Sequence, residues 1–305
     1  MKTLSNDILS IAIKEHGAEL ASIRKGDREY LWQAHPEYWS RHSPVLFPIV
    51  GALWNGDYYT HGETFRMGQH GFARDMDFEF IIGSETEAWF MLESNQQTKA
   101  KFPYDFRLTI GYKLHDNVID VIWKVKNTGI ETMSFQIGAH PAFHWPLFSN
   151  ETIAEGVAAM DARLAEDNKR GYFLLSPKAE KMTSSVIAEA GCVDAEKTME
   201  VELEDGYLAL DTNSFDIDTF IFENGQVDGV TLCDQEKKPY LTLKFDAPVV
   251  GLWSPPGKNA PFVCIEPWFG RTDSVGYTSY FEDRKWMQEI GIGREFVASY
   301  QIVIE

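Results

Sequence analysis

Short runs in which apolar and polar residues alternate recur along this chain, and they point to antiparallel sheet as its main building material. Ile8-Leu9-Ser10-Ile11-Ala12-Ile13 is one such run, and Ala18-Glu19-Leu20-Ala21-Ser22-Ile23 follows it across His16-Gly17. The runs 78–83 and 88–93 flank an acidic turn, and the runs 107–114 and 118–125 flank His115-Asp116-Asn117, so each pair reads as a hairpin. Further segments at 231–232, 240–245 and 249–253 continue the pattern, and Phe296 to Ile304 is the last of them. An alternation of period two sends successive side chains to opposite faces of a sheet, and turn residues at short intervals join such strands into a sandwich or a barrel. Helical signals are few. Thr98 to Phe102 predicts a turn before Pro103, and Ala154 to Asp167 is either a helix or an excursion between strands. Glu196 to Asp216 reads as solvated strand faces, with Asp216 and Asp218 on one face around Ile217. No linker, repeat or charge block divides the chain, so one all-β domain over residues 1–305 is expected.

Composition narrows the partners. With 46 acidic and 28 basic residues the formal charge is -18, which repels nucleic acid and anionic bilayers. No stretch reaches the roughly 18 apolar residues of a membrane helix, and residues 1–7 carry no secretory pattern. A cytoplasmic protein without a nucleic-acid or membrane partner is expected, as a monomer or homodimer. Cys192, Cys233 and Cys264 lack any CxxC spacing, so they read as buried reduced thiols and not as a disulfide framework or zinc site.

Two runs place a titratable side chain among apolar residues, prolines and indoles: Gly138-Ala139-His140-Pro141-Ala142-Phe143-His144-Trp145-Pro146 and Cys264-Ile265-Glu266-Pro267-Trp268-Phe269-Gly270. Proline fixes the backbone, histidine exchanges protons near neutral pH, and desolvation raises a carboxyl's pKa. The residues alone leave it open whether His140 or His144 is a core histidine. Glu266 could equally be a structural acceptor, and Trp268 a core indole. In His70-Gly71-Phe72-Ala73-Arg74-Asp75, Arg74 offers a planar donor fork that suits either neighbouring hydroxyls or Asp75. His140 and His144 have i, i+4 spacing, but Pro141 and Pro146 oppose a zinc-binding helix. Nucleophile-elbow, phosphate-loop and dinucleotide motifs are absent.

Taken in order, Pro44-Val45-Leu46-Phe47-Pro48-Ile49-Val50-Gly51, His70 to Asp75, Gly138 to Phe143 and Ile265-Glu266-Pro267-Trp268 resemble the aldose 1-epimerase (galactose mutarotase-like) family, in its LacX-type mutarotase-related branch. The resemblance covers nearly the whole chain. It implies a large antiparallel β-sandwich with a sugar cleft on one sheet. It further implies that a free aldohexose is interconverted between its α and β anomers by ring opening, with His140 as general acid, Glu266 as general base, and no cofactor or metal. His70, Arg74, Asp218 and Trp268 take the place of sugar-binding residues, Asp218 on a looser match. One departure stands out: related sequences commonly carry an arginine after the glycine of the Pro-Ile-Val-Gly run, where this chain has Ala52. That substitution keeps two alternatives in view, a sugar-binding or regulatory module without turnover and a mutarotase acting on a sugar phosphate.

Overall fold

A computed structural model describes residues 1–305. Two large antiparallel sheets dominate it. The first has nine strands, in the spatial order Tyr207–Asp211, Lys169–Ser176, Gly229–Cys233, Pro239–Phe245, Glu295–Ile304, Val118–Asn127, Phe106–His115, Glu87–Glu93 and Glu79–Gly83. The second runs Cys192–Glu202, Lys181–Glu189, Thr219–Phe222, Val249–Trp253, Phe262–Phe269, Ile137–Ala139 and Val45–Leu46, with Ala142–His144 also paired to Phe262–Phe269. Lys2–Ser5, Ser10–Ile13, Leu20–Lys25 and Arg28–Glu29 form a smaller four-stranded sheet. The expected hairpins form, with Phe106–His115 paired to Val118–Asn127 and Glu79–Gly83 to Glu87–Glu93.

The alternation has the physical cause read from the sequence. Along Val118–Asn127, Ile119, Val121, Trp123 and Val125 are buried, while Asp120 and Lys124 between them are only partly covered. One hydrophobic cluster takes in such side chains from both large sheets, including Leu108, Ile110, Leu243 and Ile302 from the first and Phe222, Leu252, Val263 and Ile265 from the second. Helices are short. Gln96–Lys99 is capped by Asn95, and the stretch that was open between helix and strand is helical, as Asn150–Glu155 and Val157–Glu166 broken at Gly156. None is long and apolar enough to cross a membrane. All three cysteines are buried and unpaired.

The strand Phe262–Phe269 does not alternate: its first seven residues are all buried. Such a run marks a strand covered on both faces. Val263 and Ile265 belong to the large core, whereas Phe262, Cys264, Glu266 and Trp268 take the other face. Glu266 and Trp268 on that second face line a cavity.

Candidate active site

Four separated segments meet at that cavity. Trp268 lies across the sheet in a slot made by two glycines. A Cβ at Gly251 would come within 2.5 Å of the indole and one at Gly138 within 2.6 Å, distances no side chain tolerates. The indole thereby walls a cavity of about 410 Å³, which His140 and Glu266 also line. Their contact is direct: His140 Nε2 is 3.3 Å from Glu266 Oε1, and the side chains are 8% and 1% exposed.

Burial drives both groups toward their uncharged forms. It pulls the His140 imidazole down to about 3, with the Arg74 and Arg41 guanidiniums adding to the effect. It pushes the Glu266 carboxyl well above its usual range; the nearby Trp268 indole opposes this and Asp218 reinforces it. Trp268 Nε1 has no hydrogen bond of good geometry, and neither has His140 Nδ1 nor Glu266 Oε2. The two groups therefore face each other at 3.3 Å, each driven toward its uncharged form. With Nδ1 free, packing fixes the imidazole plane. Trp39 stacks on it at 4.6 Å and 28°, and Trp253 meets it edge-on at 5.3 Å and 85°.

His70 meets the His140 imidazole edge-on, with ring centroids 5.5 Å apart and planes at 83°. Its backbone is left-handed (φ 65°), and Gly71 follows at φ 73°, where a Cβ would strike the Phe47 carbonyl at 2.2 Å. The Gly51 N–H donates to His70 Nδ1 at 3.1 Å. The ring proton must then reside on Nε2, which makes His70 a neutral donor, and burial holds its pKa well below the ordinary histidine value. Arg74 donates to the Gln69 carbonyl at 2.7 Å and keeps a buried, unpartnered Nε. Its distance to Asp75 is 3.9 Å, and Asp75 instead accepts from Arg41 at 2.8 Å. Burial and the Arg41 charge pull the Arg74 guanidinium down to about 10.

All six residues singled out from the sequence line the one cavity: His70, Arg74, His140, Asp218, Glu266 and Trp268. One expectation needs correction. Asp216 and Asp218 share no strand face, because residues 212–217 form a turn and the strand begins only at Thr219. Asp218 closes that turn with a left-handed backbone, φ 80°. Its carboxylate accepts from the Thr219 hydroxyl at 2.7 Å. His144, the alternative to His140, is a core residue with no exposure, packed edge-on against Trp32 and Phe148.

Trp39, Trp253, Ile187 and Thr272, which carry no local motif in the sequence, also line the cavity, as does Arg41, one of the arginines that a phosphorylated substrate would call for. Ala190 and Gly191 (φ 54° and 74°) form a two-residue turn between Lys181–Glu189 and Cys192–Glu202, the geometry that hairpins favour. Thr272 fastens this tip, donating to the Gly191 carbonyl at 2.6 Å and accepting from the Ala52 N–H at 3.0 Å. A Cβ at Gly191 would lie 3.6 Å from the Ala52 methyl. Ala52 thus lies beside a hairpin tip, tied to it through Thr272.

Comparison with known proteins agrees with this geometry. The family model for aldose 1-epimerase matches residues 1–275. The chromosomal LacX protein of Lactococcus lactis subsp. lactis is 30% identical over 94% of this chain and 93% of its own length. The crystal structure of a galactose mutarotase related enzyme from Lactobacillus acidophilus is 32% identical, superposes with a TM-score of 0.88, and covers 100% of this chain and 97% of that one. A galactose mutarotase-like protein from Lactobacillus casei gives 27% identity and a TM-score of 0.87, with both chains fully covered. By family match, relatives and fold together, the chain belongs to the aldose 1-epimerase family.

Proposed function

We propose that this protein interconverts the α and β anomers of a free aldohexose, with His140 as general acid and Glu266 as general base. The observation that carries the reading is the 3.3 Å between Nε2 and Oε1. Ring opening needs one proton delivered to the ring oxygen and one removed from the anomeric hydroxyl, and those two oxygens are bonded to the same carbon. A donor and an acceptor in mutual contact suit that pair of atoms. They do not suit glycoside hydrolysis, whose two carboxyls stand about 5–9.5 Å apart.

A pair holding one proton performs both transfers in a single turnover. Sugar hydroxyls entering the cavity solvate the carboxylate and favour the charge-separated form, with the proton on His140. That proton passes to the ring oxygen while Glu266 takes the one on the anomeric hydroxyl. The C1–C2 bond of the open aldehyde rotates, and closure with the two roles exchanged gives the other anomer. His70, Arg74 and Asp218 supply hydrogen bonds to the remaining hydroxyls, and Trp268 presents an indole wall to the sugar's C–H groups. Each positioned acid or base contributes about 10²–10⁴-fold.

The Arg41–Arg74 pair supports a second reading, in which the substrate is a sugar phosphate. Two guanidiniums line the cavity and Asp75 is hydrogen-bonded to Arg41 alone of the two, which leaves positive charge for an anion. One experiment addresses both readings: anomer exchange is followed by polarimetry or saturation-transfer NMR for galactose, glucose and a hexose phosphate. Wild-type protein should accelerate exchange, and Glu266→Gln should lower the rate at least about 100-fold with an unchanged circular dichroism spectrum. Equal rates for the two proteins would sink the acid-base assignment. Calorimetric sugar binding without exchange of any sugar would make the protein a binding module instead.

A further inference from the structure

Beneath the acid-base pair lies a third ligating atom that ring opening does not use. Cys264, Glu266 and Trp268 share one face of the strand Phe262–Phe269, and Cys264 is fully buried. The ligating atoms of His140, Cys264 and Glu266 all lie within 4.8 Å of one another. We propose that these three side chains form a binding site for one zinc ion, through His140 Nε2, the Glu266 carboxylate and the Cys264 thiolate, with the fourth position open to the cavity.

Geometry, unfilled valence and charge all support the site. Tetrahedral zinc with bonds of about 2.0–2.1 Å to nitrogen and oxygen holds those two atoms about 3.3–3.4 Å apart; His140 Nε2 and Glu266 Oε1 stand at 3.3 Å. A thiolate bound at about 2.3 Å sits about 3.6 Å from either, so a separation of at most 4.8 Å closes by up to about 1.2 Å, within reach of a side-chain rotation. Glu266 Oε2 is buried without a partner, although native side chains rarely leave buried polar atoms unpaired. The third argument is charge. One carboxylate and one thiolate neutralise a divalent ion, so the assembled site carries no net charge into a dry interior, where an isolated charge is costly. A nitrogen, sulfur and oxygen set selects zinc or a similar borderline-soft ion over magnesium or calcium. The thiol proton leaves to solvent on binding.

The ion would take the same Nε2 and carboxylate that act on the sugar. Zinc occupancy and ring opening then exclude each other, a consequence that rests on the proposed mutarotase reading, whereas the binding itself does not. The test starts with the wild-type chain freed of metal and dialysed against zinc, with bound metal read by atomic emission. One zinc per chain is expected, with affinity lowered at least about tenfold in Cys264→Ala. Cobalt(II) in wild-type protein should give a tetrahedral spectrum with a thiolate-to-cobalt charge-transfer band, a readout that needs no variant to fold. A cobalt spectrum without that band, or zinc bound equally tightly by Cys264→Ala, overturns the site. In the exchange assay zinc should raise the apparent KM for sugar, and Cys264→Ala should need at least tenfold more zinc for the same effect. Full activity with a zinc-loaded site would overturn the exclusion. A wild type that binds zinc but shows no exchange would sink the mutarotase reading and leave the metal site standing.

Discussion

Apart from its contact with Glu266, the proposed catalytic histidine is held by aromatic rings. His140 Nδ1 has no partner, so the face of Trp39 and the edge of Trp253 set the imidazole plane. Trp39→Leu should therefore lower kcat by about tenfold or more, because small misplacements of a catalytic group are costly. KM should change far less. A rise in KM at constant kcat would show instead that Trp39 only stacks on the sugar. His144 makes a different prediction. Burial pulls its imidazole down to about 4, only partly opposed by the nearby Pro261 backbone, and neither ring nitrogen makes a hydrogen bond of good geometry. Between pH 4 and 6.5 the unfolded chain binds a proton there that the folded chain refuses. Stability from this residue is thus complete above the unfolded value and is lost as pH falls through that window. Melting temperatures measured from pH 7 to pH 4 should fall, and His144→Leu should flatten part of the decline. An unchanged slope would mean that the ring is protonated without cost.

Among elements, the site depends on how short segments are tied together behind the cavity. Arg284 and Asp273 form a buried ion pair at 2.5 Å, and Asp273 also accepts from the Trp54 N–H. Arg284 donates further to Gln136, whose side-chain oxygen accepts from the Val50 N–H. Arg284→Met leaves a buried carboxylate unpaired and should destabilise by about 3–5 kcal/mol, measured by urea unfolding. Replacing Asp273 by Asn in the same chain should recover part of that loss. The long alternating strands were legible in the sequence because one face meets the core and the other meets water. Val45–Leu46 and Ile137–Ala139 were not, since strands of two or three residues buried throughout show no period. The site divides in the same way. His70, Arg74, His140 and Glu266 sit in compact motifs of glycine, proline and indole. Trp39, Arg41 and Ile187 come from segments without local signature, and only the completed fold brings them to the rim. Asp216 was misplaced because turn and strand compositions are alike around Ile217.

For the molecule as a whole, the order of strands in space matters more than their order in the chain. Glu295–Ile304 is the last strand in sequence, yet it lies fifth of nine, hydrogen-bonded to Val118–Asn127 on one side and Pro239–Phe245 on the other. Before it docks, the large sheet is two separate half-sheets, each ending in a raw edge of unpaired N–H and C=O groups that invites aggregation. A chain ended at Arg294 should stay expanded and prone to precipitate, and a peptide of residues 295–304 added in trans should restore both its solubility and its near-ultraviolet circular dichroism. If the shortened chain folded unaided, the keystone role of that strand would be refuted. The central strand thus acts as a keystone: the sheet behind the cavity becomes one continuous backing only when residues 295–304 have docked between its two halves.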